Sequence, residues 1–219
     1  MFLSLVSFEV CMRSKPLDPV ALEEASEVLA DSFSTYKLNE IMFQGVGDVS
    51  TLMREQALMN LQTFNHKGWV RILDGDPRAM VLGYMRSEHS RVYELRHKMG
   101  IVLKVMRMLS KEQRKVMRGN IKRVKKALDM KWAYKEIPGD FYYVKIVAVD
   151  EGLRGTGAFR RLMEPLFAFC DDEGLPMALE THDERNVSIY EHFGFRTVRV
   201  LEPEGVGLKQ YCMVRPPSG

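Results

Sequence analysis

The sequence predicts an α/β protein with a mixed central sheet flanked by helices. Short β-rich runs alternate with helical stretches through its last third, as they do when both strand directions share one sheet. A glycine-spaced turn joins an apolar run to a helical pattern in "VAVDEGLRGTGAFRRLMEPLF", residues 147–167. The 219 residues are 46% hydrophobic, enough for one sizeable core, so a single domain over 1–219 is expected.

The elements follow in order. In "MFLSLVSFEVCMRSK", Val6, Phe8, Val10 and Met12 alternate with Ser7, Glu9, Cys11 and Arg13, the period of a half-buried strand. The stretch lacks the basic region and small-residue cleavage site of a secretory signal. Asp18-Pro19 supplies an N-cap and an N1 proline, and Leu22, Ala25, Leu29 and Phe33 recur at helical spacing. A second helix is expected from Val49 to Phe64, ending near Gly68. "WVRILDGDPRAMVLGYM" places two β-rich runs around Asp74-Gly75-Asp76-Pro77, a hairpin signal.

Residues 88–134 interrupt this order with two amphipathic helices. Leu95, Met99, Val102, Leu103, Met106 and Leu109 make one expected packing stripe, and Met117, Ile121, Val124 and Leu128 the other. Ser110 and Gln113 have the spacing of a capping box that restarts the helix after a turn. Beyond this insertion come strand "FYYVKIVAV", a helix from 155 to about 172, strand "PMALET", helix "RNVSIYEHF", and strands "FRTVRVLE" and "LKQYCMVR".

Charge and cysteines narrow the classes. Residues 86–135 hold 16 of the 32 Lys and Arg but only Glu88, Glu94, Glu112 and Asp129 as acids, a net +12 against −9 for the rest. Clustered cations can neutralise phosphates. A nucleic-acid role is nonetheless disfavoured, because the helices carrying them have apolar stripes that need a partner surface and few aromatic residues for base stacking. Cys11, Cys170 and Cys212 are far apart and lack metal-ligand spacing, so no disulfide framework and no metal site is expected. The compartment reads as reducing and cytoplasmic. No apolar run approaches the roughly 20 residues that span a bilayer.

The turn Gly152-Leu153-Arg154-Gly155-Thr156-Gly157-Ala158 lies between strand and helix. Glycines let backbone N–H groups approach an anion, and a helix N-terminus adds unpaired amides and a positive dipole end. The turn suits a pyrophosphate, yet it has no Gly-Lys-Ser/Thr ending and no full dinucleotide fingerprint.

With "ALETHDERNVSIYEHFGFRTVRV" at 178–200 the chain resembles the GNAT superfamily of acyl-CoA-dependent N-acyltransferases. There a Q/R-x-x-G-x-G/A turn precedes N-x-x-x-Y-x-x-x-G-F, here Asn186, Tyr190, Gly194 and Phe195. The resemblance covers the chain outside 88–134, and departs at Gly152, where the family has Gln or Arg; Arg154 is the substitute charge. It implies an acetyl-CoA co-substrate held by Val149, Leu153, Arg154, Gly155, Thr156, Gly157, Ala158 and Asn186. It also implies that the Val147 amide faces the thioester oxygen and that Tyr190 protonates the departing thiolate. Asn186 has an ordinary alternative role as a helix N-cap. The family's Glu, four residues before the oxyanion amide, falls on Tyr143, so Glu180 and His182 are the candidate bases. The implied reaction is direct transfer of acetyl to a primary amine, a small molecule being the first reading. A peptide or protein amine, or a non-catalytic acyl-CoA sensor, are the alternatives. No membrane partner is expected, and a homodimer is compatible with the sequence.

Overall fold

The computed structural model describes residues 14–218; the strand expected at 6–12 lies outside them. Helix α1 (Pro19–Ser32) starts as its sequence predicts, because the Asp18 carboxylate accepts from the N–H groups of Val20 and Ala21 at 3.0 and 2.9 Å. Helix α2 (Lys37–Phe43) has no counterpart in the sequence expectation, since seven residues without a side-chain cap show no clear period. Helix α3 (Val49–Asn65) is capped by Asp48. Strands β1 (Val70–Leu73) and β2 (Asp76–Met85) form the expected hairpin. Asp74 and Gly75 both take positive φ, 52° and 80°, as a two-residue type I′ turn requires.

Helices α4 (Arg91–Met108) and α5 (Lys111–Val124) follow, and the capping box forms: Ser110 Oγ accepts from Gln113 N–H and Gln113 Oε1 from Ser110 N–H. Their packing corrects the expected α4 stripe. Leu95, Met99, Val102 and Leu103 are exposed, whereas Val105 and Leu109, with Ile101 and Met106, pack against Phe43, Val46, Leu52 and Met53. Ile101 and Val105 lie about a third of a turn round α4 from Leu95 and Met99, and that side meets α3. The α5 stripe is as expected at Met117 and Val124, both buried.

After α6 (Trp132–Glu136) come β3 (Tyr142–Val149), α7 (Ala158–Asp172), β4 (Met177–Thr181), α8 (Glu184–His192), β5 (Arg196–Leu201) and β6 (Gln210–Arg215). The six described strands make one sheet in the order β1-β2-β3-β4-β6-β5. Only β3 and β4 run parallel. One face packs on α1, α3 and α6 through Leu29, Leu61, Trp132 and Tyr143; the other packs on α7 through Leu162, Met163 and Leu166.

Arg215 fastens the second layer. Its guanidinium forks onto Asp171 at 2.6 and 2.7 Å, donates to the Phe193 carbonyl at 3.1 Å and lies over the Phe167 ring. The side chains are 9% and 23% exposed, so the pair is poorly screened. Arg215→Met is expected to cost about 1–3 kcal/mol in urea unfolding at neutral pH, because it strands a partly buried carboxylate. Arg215 hydrogen bonds hold the Asp171 carboxyl below its ordinary value. A depressed acid stabilises above its unfolded pKa and loses that effect as pH falls through the folded value. The difference from wild type should therefore shrink in acid; a constant difference from neutral to acid pH argues against this account.

Candidate active site

The site begins where the sheet fails to close. β3 and β4 pair only at Tyr142 with Met177 and Tyr143 with Ala178. On the other edge of β3, Leu82 faces Ile146 but Gly83 faces Val144, leaving Lys145 as a bulge residue. A bulge bends its strand, and here it marks where β3 and β4 part. The wedge between them opens into a cleft of about 940 Å³, reaching α1, α2 and α3 on one side of the sheet and α7 and α8 on the other.

The open edge of β3 presents backbone groups. Asp150 N–H donates to the Arg78 carbonyl of β2 at 2.8 Å. Successive amides of an extended strand point to alternate edges, which turns the amides of Val147 and Val149 toward the cleft that both residues line.

At the α7 end the glycine turn is a backbone cradle. Gly155 and Gly157 take φ of 76° and 81°, and a Cβ built on either meets nothing within 4 Å. Gly157 caps α7 without a side chain, so the first-turn amides are left for another acceptor. These positive φ values start α7 at Ala158 rather than 155. Leu153, Arg154, Gly155, Gly157 and Ala158 all line the cleft, with Arg160 beside them. Thr156 stands apart: its hydroxyl donates to the Leu153 carbonyl at 2.7 Å and closes the turn. The donors and positive dipole end fit a pyrophosphate.

Tyr190 and Asn186 reach the cleft from α8. The Tyr190 ring packs against Phe159 and Phe195 at centroid distances of 6.0 and 5.7 Å. Burial, with a smaller contribution from the Tyr36 phenol, raises its pKa, so it keeps its proton at neutral pH. Asn186 is not the N-cap; Asp183 is, accepting from Arg185 N–H at 3.0 Å. The Asn186 amide instead donates to Thr181 Oγ1 at 3.4 Å.

The opposite end of the cleft is built around Glu180. Its Oε2 accepts from Trp132 Nε1–H at 3.1 Å and from the Tyr143 hydroxyl. Burial and the adjacent carboxylate push the Tyr143 phenol well above its ordinary value. It therefore remains a donor. His182 is placed differently, with Nδ1 3.2 Å from the Tyr36 hydroxyl. Burial lowers the imidazole to about 4, against the Glu180 charge and helped by Lys145. It is neutral at pH 7 and a weak proton acceptor there. Cys212, paired with Glu180 from the neighbouring strand β6, has its thiol raised to about 12 by burial and that carboxylate, so no thiolate nucleophile arises.

Three contributors escaped the sequence. Tyr36, between α1 and α2, accepts from His182 N–H at 2.7 Å; nothing in its neighbourhood singles it out. Gln56 and Asn60 of α3 line the cleft from inside a helical pattern. Trp132 did carry a signal, because a buried indole needs an acceptor for its N–H.

No family model matches the chain. The structure is similar to that of the histone acetyltransferase HPA2 and related acetyltransferase of Corynebacterium glutamicum, with TM-score 0.58, 15% identity and coverage of 93% of this chain and 95% of that one. It is also similar to arylalkylamine N-acetyltransferase 2 of Aedes aegypti, with TM-score 0.53, 16% identity and coverage of 93% and 97%. The chain shares the fold of these two acetyltransferases. In sequence, 61 residues are 46% identical to an uncharacterised N-acetyltransferase of Schizosaccharomyces pombe; the match spans 28% of this chain and 25% of that protein.

Proposed function

We propose that the protein transfers acetyl from acetyl-CoA to a primary amine of a small molecule by direct attack. The observation that carries this reading is the wedge between β3 and β4, with an anion cradle on one side of the sheet and a hydrogen-bonded carboxylate on the other. The Gly155, Gly157 and Ala158 amides, with the Arg154 side chain, hold the pyrophosphate, whereas the Leu153, Arg154 and Thr156 amides already donate to the Asp150, Glu151 and Leu153 carbonyls at 2.9, 3.1 and 3.4 Å. Val149 pairs with the pantetheine arm as a neighbouring strand does, and Asn186 borders it. The Val147 amide donates to the thioester oxygen as charge builds there.

The amine arrives protonated and loses a proton to Glu180 through water. Its nitrogen then bonds to the acetyl carbon, the C–S bond breaks as Tyr190 gives its proton to the sulfur, and the surplus proton of the acylated nitrogen passes through water to the phenolate, leaving the neutral amide, free thiol and restored phenol. Tyr143, at the position where the family has its Glu, supports the carboxylate from one strand over. His182 is left outside proton transfer by its low pKa. The high thiol pKa of Cys212 favours direct attack over an acetyl-enzyme route.

Residues 88–134 are read as an insertion in one domain over 1–219. Its helices lie on α2 and α3, and its closing segment brings Leu128 and Met130 to the cleft wall and Trp132 to Glu180. A walled acceptor end supports a small amine. Acetyl-CoA is expected to raise the melting temperature, since a ligand bound only by the native state at 100 times its Kd stabilises by about 2.7 kcal/mol. Thiol release on adding a panel of primary amines reads the transfer. No thermal shift and no amine-dependent thiol release would sink the proposal.

A further inference from the structure

The outer face of α5 has no task in acetyl transfer. Lys111, Lys115, Arg118, Lys122 and Lys125 are all exposed and recur at intervals of four and three residues, which places them in one row along the helix. At 1.5 Å per residue the row is about 21 Å long. None of the five has a carboxylate partner among the described residues, and none lines the cleft. The two other cations of α5 are tied down: Arg114 donates to the Leu109 carbonyl and Arg123 to that of Val206. No acidic residue occurs from 113 to 128. Like charges one turn apart destabilise a helix, so the row is a cost that a bound polyanion removes.

We propose that this row binds the phosphate backbone of a double-stranded nucleic acid without reading its bases. Three features select that partner. The apolar side of α5, with Met117 and Val124, is already buried against α2 and its neighbours, so the reason for expecting another surface to cover it falls away. On α5 itself the large apolar residue left exposed is Val116, which lies off the row, so this helix carries no apolar stripe to enter a lipid layer. Lysine is depleted in protein–protein interfaces. The row also lacks aromatic side chains, the stacking platforms of single-strand binders, whereas a duplex offers phosphates alone.

The test uses the full chain and end-labelled 20-base-pair RNA and DNA duplexes, titrated by fluorescence anisotropy between 50 and 200 mM KCl. At least one duplex should bind, with log K falling against log salt at a slope of about −4, from four or five neutralised phosphates. A Lys115→Gln, Arg118→Gln, Lys122→Gln variant should lose affinity and reduce that slope by about 2.7. It should keep its circular dichroism, melting temperature and acetyl transfer to a small amine. Lys115→Arg with Lys122→Arg keeps the charge and should keep the binding. No binding of either duplex at 50 mM KCl, or a triple variant with an unchanged slope, overturns the proposal. So does tighter binding of poly-glutamate or of phosphatidylserine vesicles than of either duplex.

Discussion

Glu180→Gln is expected to lower kcat/KM for the amine by about 10²–10⁴-fold, the range that a positioned acid or base contributes. The substitution keeps the size of the side chain and an oxygen that can accept from Trp132 and Tyr143, so the cleft should keep its shape and the acetyl-CoA thermal shift should persist. What is lost is the proton acceptor. A profile of kcat/KM against pH separates this from a packing defect. The wild-type acidic limb should flatten in Glu180→Gln and persist in His182→Asn, because the imidazole, kept neutral at pH 7 by burial, is assigned no part in the proton transfer. A limb that moves with His182 and not with Glu180 reverses the assignment.

Tyr190→Phe should lower kcat by about 10²-fold or more while leaving acetyl-CoA affinity close to wild type. The phenylalanine ring retains the contacts with Phe159 and Phe195, so binding and folding lose little. Only the phenolic O–H is removed. Burial raises the phenol, so the proton is in place at every pH where the enzyme is assayed, and the loss should be the same on both sides of neutrality. Equal kcat in the two proteins rules out Tyr190 as the acid. A fall confined to acetyl-CoA affinity makes it a binding residue instead.

Legibility differed between the two ends of the cleft. The anion end is built from local chain: Gly155 and Gly157 need their positive φ within one turn, α7 begins immediately after them, and Asn186 and Tyr190 lie one helical turn apart on α8. Thr156 shows the limit of that reading, since spacing placed it with the cradle and the structure turns its hydroxyl onto the Leu153 carbonyl. The Glu180 end joins positions far apart in the chain. Tyr36 meets His182 across 146 residues and Trp132 meets Glu180 across 48. No period or motif encodes such a pair.

What the sequence determined by itself is therefore local: the capped starts of α1 and α5, the Asp74-Gly75 hairpin, the turn-to-helix cradle and the order of strands and helices in the last third. Each depends on φ/ψ preference, capping or periodicity within a few residues. The tertiary structure alone decided which side of α4 is covered, because two apolar stripes on one helix compete and one of them meets Phe43, Val46, Leu52 and Met53. It alone decided that β3 and β4 separate after two paired residues. It alone decided the surroundings of Glu180 and His182, two side chains on the same short stretch. One is held by a buried phenol and an indole; the other is desolvated until it is neutral. Burial and hydrogen-bond partners set proton affinity, and both come from elements that meet only when the chain has folded.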